Sequence, residues 1–201
     1  MRTFTSAVIE RRLDGTSIEG FDDQGWNWFE LDRIDPSRGG ATRAEIDAFR
    51  LLAVFLAHWD NKGGNQRLIC PAGRELPDGR CAAPIAMIQD LGATFGPLRV
   101  DLPNWRATPI WRDRAACTIS MHALPYEGAT FSDVNVSEAG RLMIVGLLEQ
   151  LSRQQLRHLF IASRITSFDG IDGEAHNPDA WARVFEDKVR EIREGGPCPL
   201  R

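Results

Sequence analysis

The sequence predicts an α+β, helix-rich fold, and three observations carry that prediction. Two apolar runs with strand chemistry sit close together, near 66–70 and 84–89. Several segments repeat apolar residues at helical spacing behind recognisable N-caps. The last third of the chain reads almost entirely as helix. Taken in order, residues 4–21, "FTSAVIERRLDGTSIEGF", predict two short strands around Asp14-Gly15, a favourable hairpin pair. A loop with Trp26 and Trp28 follows. Thr42 then starts a helix, and Glu45 three residues on completes a capping box. Ile46, Phe49, Leu52, Ala53, Leu56 and Ala57 give that helix a wide apolar face. The polar loop 58–65 ends it, and the two strands come next. From 97 to 136 the chain reads as irregular, with prolines at 97, 103, 109 and 125 around Trp105 and Trp111. Ser137 and Ser152 are N-caps, the second with Gln155 in the capping-box position. Asn177-Pro178 opens a final helix with Trp181, Phe185, Val189 and Ile192 on one side, ended by Gly195-Gly196.

Composition narrows the function classes. At 201 residues and 43% hydrophobic, the chain can bury a substantial core. A formal charge of -4 argues against a general nucleic-acid or anionic-membrane binder, because both need a basic surface, and leaves room only for local basic clusters. No apolar run approaches the roughly 20 residues that span a bilayer, and the N-terminus shows no apolar signal-peptide region. The compartment is left open. Cys70 and Cys81 flank the turn-rich "PAGRELPDGR", where a hairpin could join them as a disulfide; with no export signal visible, two reduced thiols are expected. No cysteine or histidine spacing matches a zinc site.

The stretch "HWDNKGGNQRLIC" is the most informative. Its polar residues directly follow the most apolar helix, and His58, Asp60, Lys62 and Asn65 fall at offsets H-x-D-x-K-x-x-N. Asp90-Leu91-Gly92 then closes the second strand. This order resembles the catalytic lobe of the protein-kinase-like family, whose catalytic loop reads H-R-D-x-K-x-x-N before a strand-terminal D-F-G. Residues 42–96 carry the resemblance. Trp59 in place of the usual arginine, and the 30-residue spacing from Asp60 to Asp90, make the sequence more similar to the divergent members: HipA-type, phosphoinositide and secretory-pathway kinases.

The resemblance implies a kinase-like C-lobe over 42–201, preceded by a β-hairpin and hinge-like segment over 1–41, with the N-lobe largely missing. It implies ATP with Mg2+ as cofactor and a hydroxyl-bearing substrate. Phosphoryl transfer rests on positioning and charge neutralisation, so each residue type has a task. Asp60 would orient the attacking hydroxyl or accept its proton. Lys62 would neutralise charge on the migrating phosphoryl group. Asn65 and Asp90 would hold Mg2+ through hard oxygen ligands. Gly63 and Gly64 would let the loop turn tightly, Gly92 would permit the bend after the metal ligand, and His58 would brace the loop from behind.

Read singly, each of these residues is also ordinary loop or strand-end chemistry; their combination carries the implication. His122, His158 and His176 have no partner spacing and read as surface or satisfied histidines. Tyr126, Thr130 and Ser132 could face a substrate, with no role assigned. "EDKVREIRE" reads as a solvated helix face. A kinase also needs an N-lobe lysine for the nucleotide phosphates, yet the only lysines are Lys62 and Lys188. The expectation is therefore a phosphotransferase lobe that belongs to a longer enzyme or needs a partner chain for its N-lobe. Two alternatives stand beside it: a pseudokinase-type binding module, and a metal-dependent phosphoester hydrolase built on Asp60, Asn65 and Asp90.

Overall fold

Helix α1 (Arg43–Phe55) runs through the hydrophobic core. It begins as its sequence requires: Glu45 N donates to Thr42 Oγ1 at 3.3 Å, and Thr42 N donates to the Glu45 carboxylate at 2.7 Å. Its buried surface is wider than the apolar face of the sequence. Leu51, Ala53 and Phe55 are fully enclosed, and so are the polar Asp47 and Arg50. Buried charges need partners. Arg50 finds them in a bidentate pair with Asp32, 3.0 Å at each contact, and in the Trp28 carbonyl. Asp47 pairs with Arg43 at 2.8 Å and accepts from Ser137 N at 2.8 Å. That last bond seats the start of helix α3 (Glu138–Leu148) on α1. Gly140 sets how close the two helices come, since a Cβ there would lie 2.5 Å from the Cβ of Asp47.

The computed structural model describes residues 14–18, 25–92, 94–96, 100–121, 131–167 and 173–200. Its main sheet is antiparallel in the order β1 (Gly15–Ser17), β2 (Gln66–Pro71), β3 (Ile85–Ile88), with Thr16 opposite Cys70 and Gln66 opposite Ile88. Both strands expected after the polar loop are present. Of the N-terminal hairpin, the arm after Asp14 is β1, paired to β2; the first arm lies outside the described residues, as do His122, Tyr126 and Thr130. Ser132, His158 and His176 are exposed.

Cys70 and Cys81 are joined in a disulfide, which corrects the expectation of reduced thiols. The segment between them folds back on itself through a bridge between Glu75 and Cys81, bringing the two Cα atoms to 5.6 Å. A second disulfide, Cys117–Cys198, spans a separation of 81 residues and pins the C-terminal tail to the body.

Within 97–136, the described residues 100–121 and 131–136 hold regular elements that the prolines did not suggest. Asp101 caps helix α2 (Leu102–Ala107), accepting from Asn104 N at 3.0 Å. Pro103 sits in the first turn of that helix, where its missing N–H has no partner to lose. Further on, β4 (Thr118–Ile119) and β5 (Val134–Asn135) form a small antiparallel pair. Trp105 of α2 is wholly buried, donates to the Phe55 carbonyl at 2.6 Å, and stacks on Trp181 with centroids 5.8 Å apart.

Helix α4 (Arg153–Ala162) carries the Ser152–Gln155 capping box, and α5 (Pro178–Glu194) starts at Asn177. Trp181, Phe185, Val189 and Ile192 of α5 all face the core. The glycine pair after α5 owes its identity to packing. A Cβ at Gly195 would meet the Trp111 ring at 2.4 Å, and one at Gly196 would meet the Arg141 guanidinium at 2.4 Å. Lys188 departs from the solvated-face reading of "EDKVREIRE": it is 3% exposed, donates to Thr108 O at 2.5 Å, and lies over the Trp105 ring. Among the described residues no helix is long and apolar enough to cross a membrane.

Candidate functional site

The candidate site begins where α1 stops. His58 N donates to Ala53 O at 3.0 Å and Ala57 N to Val54 O at 2.9 Å, the paired bonds of a Schellman ending. Ala57 takes the left-handed conformation this motif demands, with φ of 48°. The reversal sends His58 into the interior, where it is fully enclosed, and carries the chain into the polar loop.

Within the loop the motif residues are tied to one another. Lys62 Nζ lies 2.8 Å from Asp60 Oδ1. Asn65 Nδ2 donates to the Asp60 carbonyl at 2.7 Å. A short 3-10 turn over Gly63–Asn65 closes with Asn65 N donating to Lys62 O at 2.9 Å. The Asn65 carbonyl in turn accepts from Gln89 N at 3.0 Å and Asp90 N at 3.2 Å, so the end of β3 is fastened to the loop. Asp90 then forms a tight turn of its own, its Oδ1 accepting from Gly92 N at 2.8 Å. Asp60, Lys62, Asn65, Asp90 and Gly92 therefore belong to one hydrogen-bonded strip, joined from Asp60 to Asp90 by the side chain and the backbone carbonyl of Asn65.

Two expectations about the loop change. Neither Gly63 nor Gly64 adopts a positive φ, and a Cβ at Gly64 would meet nothing, so at Gly64 the turn itself does not call for glycine. The strict requirement lies at Gly25, which has φ of 56°; a Cβ there would fall 2.1 Å from Gln66 O and 2.2 Å from Gly63 O. The next residue, Trp26, donates its indole N–H to both Arg67 O and Met87 O at 3.2 Å, across a facing pair of β2 and β3. Trp26 thus clamps the hairpin beside the loop, in addition to packing against the Trp28 and Phe49 rings.

Sequence reasoning also missed Asn61 and Gln66. Both are buried, and Gln66 Nε2 donates to Asn61 O at 2.8 Å while Asn61 Nδ2 donates to His58 O at 2.6 Å. The available signal was a glutamine at the head of β2, just ahead of the apolar run Leu68-Ile69-Cys70.

Among the described residues no three His, Cys, Asp or Glu side chains cluster as a metal site. A cleft of about 690 Å³ runs beside the start of α3, bordered by Arg43, Asp133, Asn135, Glu138 and Leu200; no residue of the polar loop lines it. No protein-family model, no curated protein and no solved structure matches the chain.

Proposed function

We propose that this chain is the catalytic lobe of a divergent kinase-like phosphotransferase, acting on a hydroxyl-bearing substrate with ATP and Mg2+. The observation that carries this reading is the double tie of Asn65, whose side chain holds the Asp60 carbonyl while its backbone carbonyl holds the Asp90 amide. Spending Nδ2 on Asp60 leaves the amide oxygen of Asn65 as its metal-binding end. With Asp90 it offers hard oxygen donors of the kind Mg2+ takes alongside nucleotide phosphates. Two protein oxygen ligands suffice for such an ion, which keeps several waters and phosphate oxygens. When bound, Mg2+ would neutralise charge on the phosphates.

The chain's own residues would do the rest. Asp60, 22% exposed, would present its carboxylate to the acceptor hydroxyl and take its proton. Lys62, already beside Asp60, would balance charge on the group in transit. The nucleotide's remaining contacts, including a phosphate-binding cation, would come from an N-lobe in a longer chain or a partner. A pseudokinase-type binding role is the second reading, favoured by one feature: no lysine precedes Lys62, and Lys188 is committed to Thr108.

Titration calorimetry of a non-hydrolysable ATP analogue, with and without Mg2+, tests the proposal against Asp90→Ala. The expected outcome is weak, magnesium-dependent binding that the substitution abolishes. Binding indifferent to both Mg2+ and Asp90 would refute the metal role and favour the pseudokinase reading. Phosphate-ester cleavage without nucleotide would instead favour the hydrolase.

A further inference from the structure

We propose that Gln66 is a positioning residue that sets the geometry of the polar loop, acting through backbone carbonyls and without touching a ligand. Two consecutive amides, Asn65 and Gln66, donate to two consecutive carbonyls, Asp60 and Asn61, at 2.7 and 2.8 Å. Asn65 holds the carbonyl of Asp60 itself, and Gln66 holds the next one. Gln66 is also the first residue of β2, opposite Ile88, two positions before Asp90. One buried side chain therefore couples the start of the loop to the strand pair that delivers Asp90. The backbone of Gly25 covers the Gln66 carbonyl from the other side.

The choice of glutamine is informative because it is costly. Gln66 is 0% exposed, and among the described residues its Oε1 has no hydrogen-bond partner; the same holds for Asn61 Oδ1. A buried amide oxygen without a partner destabilises the fold, and an apolar side chain of similar volume would avoid that loss. What such a replacement could not supply is the N–H that restrains Asn61 O. The role of Gln66 is therefore the position it imposes on its neighbours, at the expense of stability.

The test separates placement from stability. Gln66→Met keeps volume and removes the donor, with Gln66→Leu as a second variant should the first fold poorly. Hydrogen exchange is read at the amides of Asn65, Gln89 and Asp90, whose bonds define the strip, and at α5 as a control. The expected result is exchange about tenfold faster at the three site amides, unchanged exchange in α5, and a thermal midpoint close to that of the parent, the loss of the unpartnered Oε1 offsetting the Asn61 carbonyl left without its donor. Unchanged exchange at the site overturns the proposal. Equal loosening of α5 with a lowered midpoint also overturns it, by showing an ordinary core role. The functional consequence rests on the phosphotransferase reading: magnesium-dependent nucleotide binding should weaken about tenfold, as for other residues supporting a metal ligand. If neither parent nor variant binds nucleotide, that reading fails while the exchange result still decides the role of Gln66.

Discussion

A single side chain can invert the expectation set by its surroundings, and Lys188 does so. It sits in a run of charges on α5 but points inward, over Trp105 and onto the Thr108 carbonyl. Burial lowers its pKa from 10.5 to about 8, opposed only by the nearby Glu191. The unfolded chain therefore binds more protons than the folded one between pH 8 and 10.5. Stability should rise with pH across that window and be lowest, for this group, below it. Thermal midpoints measured from pH 7.5 to 10.5 should show the rise in the parent and lose it in Lys188→Met. The charge pattern of "EDKVREIRE" gave no hint of this, because a lysine with a long apolar stem suits either side of a helix. Only the position of Trp105, 83 residues away in sequence, decides which side it takes.

At the level of elements, the helices obey local rules until two of them meet. The capping boxes at Thr42 and Ser152 were legible because both partners lie within three residues of each other. So was the strand pair 66–71 and 85–88. Helix α2 was hidden by Pro103, which reads as a breaker unless Asp101 is recognised as the cap two residues before it. Helix α3 offers a paired test of where local propensity yields to packing. A Cβ at Gly146 meets nothing within 4 Å, whereas one at Gly140 would press on Asp47 and on the Ala44 carbonyl at 3.0 Å. Gly146→Ala should stabilise by up to about 1 kcal/mol through helix propensity. Gly140→Ala should destabilise by about 1–2 kcal/mol, the overpacking outweighing the same propensity gain. Urea unfolding of the two variants should give opposite signs; equal signs would mean that the α1–α3 contact is looser than it looks.

Across the whole molecule, the two disulfides and the tail network do what no single element can. Cys117–Cys198 closes a span of 81 residues, and beside it Glu138 accepts from Arg141 and from Cys198 N at 2.8 Å. Loop-closure entropy for so long a span is worth about 4.5 kcal/mol in the chain-entropy model. Cys117→Ser with Cys198→Ser should therefore lower the unfolding free energy by about 2–4 kcal/mol. Non-reducing peptide mapping should find both pairs in protein folded under oxidising conditions. Mapping that returns free thiols after such folding would rule the pairing out.

The candidate site shows where legibility stops. Asp60, Lys62, Asn65, Asp90 and Gly92 could be picked out through the resemblance their motifs carry, and the structure joins them in one strip through the side chain and backbone carbonyl of Asn65. Gly25, Trp26, Asn61 and Gln66, which hold that strip in place, have no motif of their own. By itself the sequence determined the α+β class, the starts of α1, α3, α4 and α5, the strand pair and the residue types of the loop. All of these rest on interactions between neighbours a few positions apart, where spacing is a direct record of geometry. Only the tertiary structure decided which cysteines pair, which lysine is buried, and which segment braces the loop. Those outcomes depend on where α1 and the sheet bring distant parts of the chain, and burial and hydrogen bonding between remote residues leave no periodic trace along it.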